Sequence, residues 1–212
     1  MKLVSLNICN GGGERMPAIE RYLAATGADV IVLPEYRQHR PPHLDGFSIF
    51  DASTIAKNAV AVAVRGNAER VELLPADADR HRIVGIRYCG ITIVGLYFAQ
   101  NQAKASLFDY LITAPFKEPT LLVGDFNTGL ALDAEGTPFH CGDLFERLSE
   151  RFVDLWRKHN GSTAREFSWQ SKSSNGFRID HGFGLNIESR ACRYDHTTRG
   201  TITDHSALII DM

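Results

Sequence analysis

Apolar and polar positions alternate over residues 2–8, the two-residue period of a half-buried strand. Met16, Ile19, Tyr22 and Leu23 then recur at helical spacing and Gly27 follows them, so an amphipathic helix over about 15–26 is expected. Asp29-Val30-Ile31-Val32-Leu33 reads as a second strand, which makes the first unit strand, helix, strand, a crossover. The run Asn58-Ala59-Val60-Ala61-Val62-Ala63-Val64 has no polar face and predicts a strand buried on both sides. Shorter strands are expected near 69–74, 82–88 and 91–98, the last two joined by a turn at Cys89-Gly90. Ala103, Leu107, Tyr110 and Leu111 mark a second helix, 119–124 a strand and 142–149 a shorter helix. Strands near 178–185, 190–196 and 206–211 complete the pattern. Gly11-Gly12-Gly13 and residues 170–176 read as loops, and no repeat or low-complexity linker divides the chain. Many strands with few long helices predict two packed mixed sheets flanked by helices, an α/β sandwich forming a single domain over 1–212.

Composition narrows the function classes. With 44% hydrophobic residues, 212 residues suffice for one large core. No apolar run reaches the roughly 18 residues a membrane span needs, and the strand-like N-terminus lacks the long apolar stretch of a signal peptide. Cys9, Cys89, Cys141 and Cys192 lack paired spacing, which argues against a zinc site or a disulfide framework and for a reducing, cytoplasmic location. The net charge of -2 is unlike that of a protein gripping many phosphates, so nucleic-acid contact would depend on local patches and metal ions.

Candidate chemistry gathers at strand ends. Asn7 closes the first strand, Glu35 follows Ile31-Val32-Leu33-Pro34, and Tyr97 closes the run from Ile91. Asp125 and Asn127 follow Leu121-Leu122-Val123-Gly124, Asp180 follows Ile179, and Asp204-His205 precedes the last apolar run. Each alone has a plain structural explanation: a turn cap, a surface acid, a core tyrosine. Together they place the acids Glu35, Asp125 and Asp204, two amides and a histidine at strand mouths, where α/β proteins expose their chemistry. Such a set suits phosphate-ester hydrolysis. Carboxylates hold magnesium or manganese, amides and hydroxyls hold phosphate oxygens, and a further carboxylate orients or deprotonates water.

The motifs carry a resemblance. Met1-Lys2-Leu3-Val4-Ser5-Leu6-Asn7, Leu33-Pro34-Glu35, Tyr97-Phe98-Ala99-Gln100, Gly124-Asp125-Phe126-Asn127, Phe167-Ser168-Trp169, Arg178-Ile179-Asp180-His181 and Thr203-Asp204-His205 occur in that order over nearly the whole chain. In this the chain resembles the endonuclease/exonuclease/phosphatase superfamily, and Tyr97-Phe98-Ala99-Gln100 and Phe152–Arg157 are similar to its exonuclease III branch. The resemblance implies a four-layer α/β sandwich and a magnesium-dependent phosphodiesterase that cleaves nucleic acid, DNA above all, including at abasic sites. It implies Glu35 as the principal magnesium (or manganese) ligand with Asn7 beside it and Asp204 assisting. Asp125 would act on the attacking water, Asn127 and Tyr97 on the phosphate, and His205, oriented by Asp180, on the phosphate oxygens. Trp169, Phe177, Arg178 and Ile179 would form the substrate-binding wall. A monomer is expected.

Two features depart from that branch. Cys9 stands where a polar Asp or Asn is usual, and the interval from Tyr97 to Asp125 is short. The stretch Tyr36–His43 could track a phosphate backbone or simply be a solvated loop, and Arg80-His81-Arg82 is expected to be an exposed turn. A phosphatase for small or lipid-linked phosphates is the alternative on the same residues. A silent binding module fits poorly, because it has no chemical need for the full set.

Overall fold

The computed structural model describes residues 1–52, 58–116 and 119–212. β1 (Lys2–Ser5) passes through α1 (Met16–Ala25) to β2 (Val30–Tyr36), which runs parallel to it with Leu3 opposite Val30. β3 (Phe47–Asp51) and β4 (Ala59–Arg65) form an antiparallel pair, and β4 also lies antiparallel to β2. β5 (Glu69–Val71), β6 (Ile83–Tyr88) and β7 (Ile91–Tyr97) form a meander, and α2 (Ala105–Thr113) returns the chain to β8 (Thr120–Asp125), parallel to β7. α3 (Gly142–Arg151), β9 (Val153–Asp154) and α4 (Leu155–Asn160) follow, then the ribbon of β10 (Trp169–Gln170) and β11 (Gly176–Phe177). β12 (Asp180–Leu185), β13 (Ala191–Asp195) and β14 (Ala207–Asp211) close the fold.

Two six-stranded sheets result, ordered β13-β14-β1-β2-β4-β3 and β5-β6-β7-β8-β12-β9. Val32, Val60 and Val62 of the first pack against Val84, Ile93 and Val123 of the second. The approach is close at Gly95, where a Cβ would come within 2.6 Å of the Val62 side chain. Ile19 and Leu23 of α1 cover the outer face of the first sheet, and Leu107, Phe108, Phe145 and Leu148 of α2 and α3 that of the second. The four-layer sandwich expected from the sequence is therefore the observed fold. No helix among the described residues is long and apolar enough to cross a membrane.

The differences are local. β3 escaped notice because its alternation is short and half-buried at a sheet edge, and α4 because six residues are too few to show a helical period. The expected loop 170–176 is pinned at both ends by the pairing of Gln170 with Gly176. Arg80-His81-Arg82 is not an exposed turn: it ends a 3-10 helix over Asp77–Arg82 in which His81 is buried.

Candidate active site

The topology explains why distant residues meet. β1 and β2, and likewise β7 and β8, are parallel, so their C-terminal ends share a rim. β12, β14 and β4 run antiparallel to these strands, so their first residues reach the same rim. Tyr97 and Asp125 are in register as the last residues of β7 and β8, and Asp180 opens β12 opposite Asp125. Asn7 joins the two sheets. Its Nδ2 donates to Asp125 Oδ2 at 2.9 Å and to Glu35 Oε1 at 3.2 Å, while its Oδ1 accepts from Cys9 N at 2.8 Å.

Glu35 sits at a bulge between Pro34 and Tyr36 with φ of 61°, a left-handed conformation uncommon for glutamate and typical of strained functional positions. The bulge turns its carboxylate to accept from Asn10 N at 2.7 Å and Asn58 Nδ2 at 3.0 Å. Asn127 is also left-handed, at φ 51°. Its N–H donates to Asp125 Oδ1 at 2.9 Å and its side-chain amide to Phe98 O at 2.9 Å.

The charges around Asp125 are arranged against one another. Burial and the neighbouring Asp180 push its carboxyl up to about 7, against the pull of His205 and the Asn127 N–H. Burial alone would lower the His205 pKa. The charge of Asp180 and the 2.8 Å bond between its Oδ2 and His205 Nδ1 outweigh burial and hold the imidazolium up to about 10. Asp180 is itself fixed: Ser168 Oγ accepts its N–H at 3.1 Å, and Tyr194 OH donates to its carbonyl. Burial, Glu35 and Asp125 raise the Tyr97 phenol, so it stays protonated and able to donate. Asp125, Asp180 and His205 offer atoms within 4.8 Å of one another. A histidine held protonated by its carboxylate partner has no lone pair for a metal, which weighs against the full trio as a ligand set.

The sequence profile of the Endonuclease/Exonuclease/phosphatase family matches residues 4–181. The chain belongs to this family. As a family member it is a phosphoesterase, a hydrolase of phosphate esters. Among solved structures, a 3'-5' exonuclease (NExo) from Neisseria meningitidis is 19% identical, with 100% of this chain and 99% of that chain covered and a TM-score of 0.86. The 3' phosphatase NExo from Neisseria bound to product DNA hairpin is also 19% identical, over the same 100% and 99%, at a TM-score of 0.85. An AP endonuclease from Archaeoglobus fulgidus is 20% identical over 99% and 98% of the two chains, at a TM-score of 0.83. At these identities the likeness is one of fold. No curated protein matches by sequence.

Within the expected substrate wall of this family member, the four residues are placed differently. Trp169 and Phe177 are half-buried, their ring centroids 5.7 Å apart, with Trp169 6.5 Å from the His205 ring and its Nε1 donating to Asp204 Oδ2 at 3.1 Å. Phe139, which no sequence pattern singled out, extends the pair at 5.8 Å from Phe177. Ile179 is buried. Arg178, expected in that wall, is instead wholly buried. Its Nε donates to Asp133 Oδ1 at 2.8 Å and its Nη2 to Asp154 Oδ2 at 2.7 Å, which ties the 130s loop to β9. Arg178→Ala leaves two buried carboxylates short of a partner and is expected to lower unfolding free energy by about 3–5 kcal/mol, measured by denaturant titration.

Residues beyond the sequence reading also support the site. Asn58 and the Asn10 N–H hold Glu35, Ser168 holds Asp180, and the Lys104 ammonium donates to Asn127 O. Asn58 directly precedes β4, whose antiparallel pairing with β2 brings it to the rim, a placement the sequence alone does not show.

Proposed function

We propose that the protein is a divalent-metal-dependent nuclease of exonuclease III type, hydrolysing phosphodiester bonds of DNA, including those beside abasic or unpaired nucleotides. One observation carries the reading. Asn7 bonds both Glu35 and Asp125, which sets a carboxylate suited to a cation beside one pushed into the range of a general base. The acting residues offer hard oxygens, which fit magnesium or manganese, and among the described residues Glu35 Oε1 accepts only from Asn7. Glu35 would hold the ion, with Asn7 and Asp204 beside it. When bound, the ion supplies charge neutralisation at the phosphate and the leaving oxygen.

The remaining steps belong to side chains. Asp125 takes a proton from the attacking water, and the Asn127 N–H fixes the orientation of that carboxylate. Tyr97 and Asn127 donate to phosphate oxygens, and His205, held protonated by Asp180, donates to oxygens that gain charge. Trp169 and Phe177 beside His205 offer an aromatic wall to an unstacked nucleotide or bare sugar, and extrusion costs least where the base is missing. DNA as substrate is supported by the DNA hairpin bound to one structural neighbour. We further propose a cytoplasmic monomer.

The net charge of -2 favours a second reading, a phosphatase for small phosphates. Incubation with an abasic duplex, an undamaged duplex, a single strand and inositol phosphates, each with magnesium and with excess chelator, separates the two. Chelator-sensitive cleavage of DNA is expected. Turnover of inositol phosphates alone would support the second reading, and no cleavage of any polynucleotide would overturn the first.

A further inference from the structure

Lys104 has no part in the steps above, yet it is among the most deeply buried large side chains, 2% exposed. It ends the 3-10 turn Asn101–Lys104, which follows Tyr97-Phe98-Ala99-Gln100. Among the described residues no carboxylate lies within ion-pairing distance of its ammonium, and the hydrogen bond it makes there is to Asn127 O. Burial pushes its pKa down to about 8, against the weaker pull of Cys141 and Asp125. A buried cation without a counter-ion is costly, and a methionine would fill a similar volume without that cost.

What the ammonium holds is specific. Asn127 is left-handed, and three of its polar groups point to three places: the N–H to Asp125 Oδ1, the side-chain amide to Phe98 O, the carbonyl to Lys104. The flanking residues are pinned as well, Phe126 N to Ile179 O at 2.8 Å and Thr128 O to His181 Nε2 at 2.8 Å. The Asn127 carbonyl is the part of this turn that Lys104 alone secures among the described residues. If it is released, the 127–128 peptide plane can turn, and the left-handed conformation that aims the Asn127 N–H and side chain is then held from its N-terminal side alone among the described residues.

We infer that Lys104 is a positioning residue for the catalytic turn, clamping the Asn127 carbonyl so that Asp125 and Asn127 keep their working orientation. The inference rests on the reading of that turn as catalytic. The test compares wild type, Lys104→Met, Lys104→Arg, Asn127→Ala and the Lys104→Met/Asn127→Ala double variant. Hydrolysis of bis(p-nitrophenyl) phosphate with magnesium, the thermal midpoint and amide hydrogen exchange at Asn127 are measured on each.

Lys104→Met is expected to lower kcat about ten- to a hundredfold with KM nearly unchanged, because a small misplacement of catalytic groups is costly. Its thermal midpoint is expected to stay level or rise, since an unpaired buried charge is removed. Lys104→Arg should restore most of the rate, and Lys104→Met should add little to Asn127→Ala. The Asn127 amide should exchange about tenfold faster in Lys104→Met, a readout that needs no substrate. Unchanged exchange would overturn the inference whatever the enzyme cleaves. So would a lowered midpoint with wild-type kcat, or penalties for Lys104→Met and Asn127→Ala that multiply. Wild type that leaves every phosphodiester intact while Lys104→Met still speeds the exchange would count against the proposed function and leave the clamp standing.

Discussion

Glu35→Ala is expected to lower kcat/KM by at least about a hundredfold, roughly 2.7 kcal/mol of transition-state stabilisation. Two losses combine. The carboxylate that best fits the cation is gone, and with it the acceptor for the Asn10 N–H and the Asn7 and Asn58 amides. Among the described residues Asn7 then keeps only Asp125 as an acceptor for its Nδ2, so the link between the two sheets at the rim is cut on one side. Calorimetric titration with magnesium or manganese should show the cation affinity lost in parallel with the rate. Glu35→Ala with the wild-type rate and affinity would place the ion elsewhere, and the trio of Asp125, Asp180 and His205 would become the candidate to test next.

The parts of this site that were legible in the sequence share a cause. Asn7, Glu35, Tyr97 and Asp125 each end an apolar run, and a polar group at the mouth of a buried strand is visible without coordinates. Asp180 and His205 stand at the borders of apolar runs as well, and the ordered motifs give them their roles. Pairing and register were not visible. That Asp125 faces Asp180 across β8 and β12, with Asn7 reaching both Asp125 and Glu35, depends on strand order, which no local pattern encodes. Arg178 misled for a related reason. It lies two residues before Asp180 in the same motif, but the chain enters β12 only at Asp180. The acids that claim Arg178, Asp133 and Asp154, are far away along the chain. Lys104 carries no local signal in the sequence, because its bond to Asn127 O spans a crossover.

Asp180→Asn carries the second large expectation, and its sign follows from two opposed neighbours. In wild type burial pulls the His205 pKa down, but Asp180, with smaller help from Asp125 and Asp204, lifts it from an ordinary 6.5 to about 10, and burial together with Asp180 raises Asp125 to about 7. Asparagine keeps the shape and removes the charge. His205 should then lose its proton nearer its ordinary value, and Asp125 should ionise at lower pH. Both limbs of the bell-shaped profile are expected to move to the acid side, each limb belonging to the coupled cluster rather than to one residue. At pH 8 a histidine titrating near 6.5 is about thirtyfold less protonated than one titrating near 10, so the rate there should fall by about that factor, with a much smaller loss at pH 6. Stability follows the same linkage. The His205 pKa is raised on folding, so its pairing stabilises the wild type fully below about 6.5, and that contribution is lost as pH rises through about 10. Asp180→Asn should therefore show a smaller stability loss between those limits than wild type, measured by denaturant titration across pH. A rate profile that keeps both limbs in place would mean that His205 acts without Asp180, and that the bond between them serves packing alone.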